Sequence, residues 1–186
     1  MKVTALRIPE VLLIEPRLFG DERGFFFESF HAARYVKSGI AGPFVQDSQS
    51  FSREGVLRGL HFQWPRHTQG KLVSVVLGAV WDVAVDVRRG SPTYGHWVGA
   101  ELTDRNHHQI WVPPGFAHGF VVLSETALLL YKLTAPYSPA DETSIRWNDP
   151  TLAVKWPVHA PVVSGKDAVA PLLAELPPER LPQYAI

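Results

Sequence analysis

The 186-residue chain has no cysteine, which excludes disulfides, thiolate nucleophiles and cysteine-ligated metal sites. It has no excess of either charge. Its 18 basic side chains balance 18 acidic ones, and a nucleic-acid binder would need a basic surplus gathered on one face. An anionic ligand is still open to it, because a few placed Arg and Lys residues suffice. No apolar run approaches the roughly 18 residues of a membrane span. The opening stretch from Met1 to Pro9 has an early basic residue but no long apolar segment behind it, so it does not read as a signal peptide. Disorder is excluded as well, since 46% of the residues are hydrophobic and 19% charged. The expectation is one domain over residues 1–186, in the cytoplasm, with no nucleic-acid or membrane partner.

Room for long helices is also scarce. Sixteen prolines and fourteen glycines are spread along the chain, and short β-branched and aromatic runs lie between them. Strands are predicted over 11–15, 25–30, 44–51, 56–63, 71–77, 80–87, 96–102, 109–112, 116–123 and 128–133. Within 80–87, Trp81, Val83, Val85 and Val87 alternate with Asp82, Ala84 and Asp86. The fold class is therefore mainly β: a sandwich, jelly roll or small barrel able to hold a ligand among inward side chains. Two helical patches are predicted, at 31–38 ending on Gly39, and at 166–176, where Pro171 marks a kink or a second start.

Several residues could carry chemistry. Arg58 and His61 sit on an otherwise apolar run, either as an anion-binding Arg beside a His base or as polar side chains of an edge strand. Three residues apart, they would point to opposite faces of a regular strand, unless Gly59 hosts a bulge. Asp82 and Asp86 are either outward polar residues or carboxylates lining a cavity. Lys71 opens a strand, where lysines are usually solvated. Tyr131 lies in an apolar strand, where most tyrosines are core residues. His107 and His108 fall in a turn-like stretch and are expected to be exposed. Ser164 is a candidate helix cap, and Asp167 favours the same helix start electrostatically.

The Pro-x-Gly-x-x-His turn Pro113-Pro114-Gly115-Phe116-Ala117-His118 opening an apolar strand resembles the second motif of cupins, small jelly-roll barrels in which that His can bind metal. The first cupin motif has two His residues around one position, then a Glu. Here the matching stretch is His61-Phe62-Gln63, with His67 near the place of the Glu. A site of His61, His67 and His118 is chemically acceptable for zinc or iron, although the usual spacing is broken.

Taken together, the motifs resemble those of the dTDP-4-dehydrorhamnose 3,5-epimerase family, over about Pro9 to Leu173. They are Asp21-Glu22-Arg23-Gly24-Phe25-Phe26-Phe27-Glu28, Phe44-Val45-Gln46-Asp47, Leu57-Arg58-Gly59-Leu60-His61-Phe62-Gln63, Asp86-Val87-Arg88 with Ser91-Pro92-Thr93, Pro113 to Phe120, Trp147-Asn148-Asp149-Pro150 with Trp156-Pro157, and Lys166-Asp167. The resemblance implies a cupin-like jelly roll with a few short helices and an isomerase without metal or other cofactor. The implied reaction is epimerisation at C3 and C5 of dTDP-4-keto-6-deoxy-D-glucose, giving the L-rhamnose precursor dTDP-4-keto-L-rhamnose.

By the same resemblance His61 is the base, Asp167 its orienting carboxylate, Lys71 the cation facing the enolate oxygen, and Tyr131 the acid on the opposite face. Arg23, Glu28, Gln46, Arg58, His118, Glu142 and Lys166 match substrate contacts, and Tyr137 matches an aromatic that stacks on thymine. A homodimer with exchanged N-terminal strands is implied, with Arg23 and Glu28 serving the neighbouring site. The chain departs from the family where Ser48-Gln49 replaces the usual Asn-His, so Ser48 stands at a substrate contact with a shorter group. The other readings are a mono-epimerase acting at C3 or C5 of another dTDP-deoxysugar, a metal-dependent cupin, and a non-catalytic sugar-nucleotide-binding protein.

Overall fold

The computed structural model describes residues 1–40 and 42–184. Thirteen strands are present among them: β1 Lys2–Ala5, β2 Leu12–Glu15, β3 Leu18–Asp21, β4 Gly24–Phe27, β5 Gln46–Arg53, β6 Leu57–Gln63, β7 Lys71–Leu77, β8 Ala79–Asp86, β9 Trp97–Thr103, β10 Gln109–Val112, β11 Phe116–Val122, β12 Thr126–Leu133 and β13 Glu142–Ser144. They form a six-stranded sheet in the order β1-β2-β10-β7-β12-β5, a five-stranded sheet β13-β6-β11-β8-β9, and a separate hairpin β3-β4. Every strand pair is antiparallel. The two large sheets face each other as a jelly-roll sandwich, the architecture expected from the sequence.

The space between the sheets is filled by Val73, Val75, Ile110 and Leu129 from one side and Ala84, Val98, Phe116 and Phe120 from the other. The outer faces are covered too. Tyr35 of helix α1 (Ala32–Lys37) packs with Ile14, Leu72 and Trp111. On the other sheet, Leu60, Phe62, Val83, Val85 and Ala117 lie under Ile145, Leu152 and Leu173 of the C-terminal segment. This explains the alternation in β8: both of its faces are buried, Val83 and Val85 under the C-terminal segment and Val80, Asp82, Ala84 and Asp86 between the sheets. Each fully covered Leu or Val contributes roughly 1.5–3 kcal/mol, so the C-terminal segment is held chiefly by apolar burial.

Polar contacts set its path. Buried Asp149 accepts from the backbone N–H groups of Thr151, Leu152 and Leu173, and Arg146 donates to the Ala170 carbonyl at 2.8 Å. The helix predicted over 166–176 is broken at Pro171. Helix α2 covers only Gly165–Ala168, and a separate 3-10 turn follows at Leu173–Glu175. Proline supplies no N–H, and anchoring of Leu173 by Asp149 sets the second start. Strands β1, β3 and β13 fall outside the predicted set. His107, expected to be exposed, is half-buried, with its ring 4.7 Å from that of Phe25 and 4.9 Å from that of Phe27.

Strand β6 lies between β13 and β11 and is not an edge. Its register against β11 slips between the pairs His118↔His61 and Phe120↔Arg58: three steps on β6 oppose two on β11. This is the bulge that Gly59 allows, at φ +134°. It turns Arg58 to the side of His61. A Cβ at Gly59 would stand 2.6 Å from the Gly119 Cα, and one at Gly119 would stand 2.8 Å from the Arg58 carbonyl oxygen. Two facing glycines therefore permit the close approach of the strands. Gly59→Ala is expected to lower the unfolding free energy by about 2 kcal/mol or more, read as a lower urea midpoint. An unchanged midpoint would show that the strands separate without cost.

Candidate active site

A cavity of about 490 Å³ opens between the sheets. His61 of β6 and His118 and Phe120 of β11 line it on the five-stranded side, and Lys71 of β7 and Tyr131 of β12 on the six-stranded side. Arg58 and the segment 162–167 complete it. The C-terminal segment arrives there by strand-like pairing: Leu57 N–H donates to the Val162 carbonyl and Val162 N–H to the Gly55 carbonyl. Ser164 then caps α2, its hydroxyl accepting from Asp167 N–H at 3.1 Å, which turns the Asp167 side chain inward.

Asp167 Oδ1 lies 2.6 Å from His61 Nε2. The carboxylate side chain is 4% exposed. Burial pushes its pKa up, but the His61 hydrogen bond and charge, the Ser164 hydroxyl and the Gly59 N–H outweigh burial, and the carboxyl lies below its ordinary value. Asp167 is thus held as the anion, oriented on one nitrogen of His61. The other ring nitrogen of the partly exposed imidazole is left for the cavity.

A second buried pair stands beside the first. His118 Nε2 is 2.9 Å from Asp82 Oδ2, and both side chains are almost wholly covered. Burial lowers the His118 pKa against the pull of Asp82. Asp82 and Asp86 share the inward face but not the site. Asp86 accepts from Arg88, Ser91 and Thr93 away from the cavity. Burial raises the Asp86 pKa, yet these bonds hold it below the ordinary range.

Lys71 is not a solvated strand end. Its ammonium donates to the His61 carbonyl at 3.2 Å. Loss of water lowers its pKa from 10.5 to about 8, with Asp82 and Glu142 opposing the drop. Tyr131 donates to or accepts from Ser50 at 3.0 Å. Burial raises its pKa, so the phenol holds its proton through the neutral range.

Other sequence-predicted residues form a connected set next to the cavity. Lys166 lines it and donates to Glu142 at 2.5 Å. Tyr137 O–H donates to the same carboxylate at 3.0 Å. The Tyr137 N–H donates to the Gln46 side chain, whose amide donates to Ser48. The Tyr137 ring is 54% exposed and free to take a flat partner. Arg23 and Glu28 are elsewhere, paired with Asp21 and Arg34 on or after the β3-β4 hairpin. The three-histidine alternative does not form: His61, His118 and His67 each face a different carboxylate, the last on Asp141 at 2.5 Å and outside the cavity lining.

Three contributors have no counterpart among the sequence candidates. Gln63, buried, accepts from Ser138 N–H and donates to the Pro136 carbonyl, which fixes the loop carrying Tyr137. Ser50 contacts Tyr131, and Ser52 accepts from Arg58 Nε at 3.0 Å. The signal was a period-two polar row, Gln46, Ser48, Ser50 and Ser52, the inward face of β5.

Because the unfolded chain binds the Lys71 proton more tightly than the folded one, this group makes the fold more stable as pH rises from about 8 to 10.5. The Lys71 Nζ resonance is expected to titrate near pH 8. Asp82→Asn should move that midpoint lower still, and a midpoint near 10.5 would show a hydrated ammonium.

The family model described as dTDP-4-dehydrorhamnose 3,5-epimerase matches residues 5–175. The Pseudomonas aeruginosa dTDP-4-dehydrorhamnose 3,5-epimerase is 57% identical over 169 residues, covering 90% of this chain and 93% of the relative. The Salmonella typhimurium protein of the same name is 54% identical over 175 residues, 93% of this chain and 96% of the relative. A crystal structure of the Legionella pneumophila dTDP-6-deoxy-D-glucose-3,5-epimerase in complex with dTDP-4-keto-L-rhamnose superposes with a TM-score of 0.96 at 53% identity. It covers 100% of this chain and 99% of that one. A match of this extent, over a cavity built from His61, Asp167, Lys71 and Tyr131, places the chain in the dTDP-4-dehydrorhamnose 3,5-epimerase family.

Proposed function

We propose that the protein epimerises dTDP-4-keto-6-deoxy-D-glucose at C3 and C5, giving dTDP-4-keto-L-rhamnose. The observation that carries this reading is the placement of a base and an acid on opposite walls. His61 belongs to the five-stranded sheet and Tyr131 to the six-stranded sheet. Inversion at a carbon beside a ketone passes through a planar enolate, so one group must remove the proton from one face and another must return it to the other.

His61 takes the proton from the carbon next to the C4 ketone, and Asp167 stabilises the imidazolium that results. The Lys71 ammonium faces the enolate oxygen, where negative charge grows. Tyr131 delivers a proton from the other wall. Arg58 and Lys166 suit the diphosphate, and the exposed Tyr137 ring suits the thymine.

Arg23 and Glu28 act in the same scheme if two chains exchange their N-terminal strands. The β3-β4 hairpin supports that arrangement: Phe19, Phe25 and Phe26 are 53%, 60% and 70% exposed, a run of apolar rings that a second copy would cover. The homodimer is expected to run as one species of twice the chain mass in sedimentation. A monomer with full activity would remove Arg23 and Glu28 from the site.

The test of function is deuterium incorporation from heavy water at C3 and C5, followed by NMR. Exchange at both positions with product formation is expected. Exchange at one alone would make the protein a mono-epimerase, and tight dTDP binding without exchange would make it a binding protein. His61→Ala is expected to abolish exchange while keeping dTDP affinity, and Tyr131→Phe to spare proton removal more than product formation. Since Lys71 loses its charge as pH rises through about 8, kcat/KM of the parent is expected to fall on that alkaline limb, and Lys71→Arg to remove the limb. A limb unchanged in Lys71→Arg would assign it to another group.

A further inference from the structure

Tyr131 has a difficult task in the scheme above. Giving up its proton leaves a phenolate in a place where burial and the charge of Asp82 both raise its pKa. An unpaired buried anion is costly. Something must hold that oxygen, and the inward row of β5 supplies it.

Strand β5 pairs with β12 so that Tyr131 faces Ser48 directly, and Ser50 is the diagonal neighbour on the same face. Ser50 Oγ lies 3.0 Å from the Tyr131 oxygen. The next inward residue, Ser52, receives Arg58 Nε at 3.0 Å, and the Arg58 charge favours the phenolate as well. A hydroxyl can accept from the phenol and, after rotation, donate to the phenolate. Ser50 is therefore able to stay bonded through the proton transfer, and a carbonyl or carboxylate there could not.

We propose that Ser50 is a positioning residue for Tyr131: its hydroxyl fixes the phenol against the β5 wall and donates to the phenolate oxygen once the Tyr131 proton has gone to carbon. In that step the Tyr131 O–H bond breaks, a C–H bond forms at the enolate carbon, and the electron pair stays on the Tyr131 oxygen. Ser50 keeps its own proton. The assignment rests on Tyr131 acting as the acid.

The test compares the parent with Ser50→Ala and Ser50→Thr. Deuterium wash-in to substrate reports proton removal by His61, and product formation reports delivery by Tyr131. A hydrogen bond to a charged partner is worth about ten- to a hundredfold in rate. Ser50→Ala is expected to lower product formation by about that factor while wash-in stays near the parent rate, and Ser50→Thr to restore product. A loss of both in equal measure, or an unchanged product-to-exchange ratio, would overturn the proposal.

A second measurement works without turnover. With 3,5-difluorotyrosine at position 131, the phenol titrates in an accessible range, and Ser50→Ala is expected to raise its midpoint by about one pH unit. An unmoved midpoint would overturn the proposal. A parent that shows no exchange, together with a midpoint that does move, would instead reject Tyr131 as an acid while leaving the Ser50 contact intact.

Discussion

The 2.6 Å hydrogen bond between His61 and Asp167 is the constraint on which the rest of the site depends. Its two halves are 106 residues apart, and a carboxylate with 4% of its side chain exposed is stable only where several donors reach it. Each element of the C-terminal segment works toward that end. Leu152 and Leu173 seal the outer face of the five-stranded sheet, Asp149 and Arg146 set the turns, Val162 docks on Leu57, and the Ser164 cap turns Asp167 inward. The Gly59 bulge completes the pairing from the other side, because it turns Arg58 to the His61 face and leaves an N–H for Asp167.

Around this bond the apolar filling of the sandwich gives way to Lys71, Asp82, His118 and Tyr131. Their charges are arranged against one another. Asp82 supports the proton of Lys71 and disfavours the ionised Tyr131, so one carboxylate favours both the charged lysine and the protonated phenol. Burial between the sheets strengthens both effects. The same desolvation that lowers Lys71 leaves it near the point where it still carries charge at neutral pH.

The fold was largely legible because its strands are short, β-branched and separated by Gly and Pro. What escaped has physical causes. Strand β13 spans three residues and carries no period. The alternation of β8 could not say which face was inner, since both faces are buried. The helix predicted over 166–176 followed local spacing, while Pro171 and the Asp149 anchor on Leu173 are decided by contacts distant in sequence. The grouping of His61, Lys71, Tyr131 and Asp167 came from resemblance, because no local pattern brings residues 61 and 167 together. Ser50 was hidden for a different reason: a serine on a strand carries little signal alone, and only its register beside Tyr131 gives it meaning.

The separation of residues 61 and 167 also sets an order of events in synthesis. His61, Lys71 and Tyr131 are all present once the ribosome has passed residue 131, and both sheets have most of their strands by then. Asp167, the carboxylate bonded to His61, comes only with the segment that crosses back over the five-stranded sheet. A nascent chain stalled before that crossing has its valine face bare and His61 without its carboxylate partner. The buried carboxylate of the cavity and the covering of the outer face of the five-stranded sheet are therefore reached in the same closing movement.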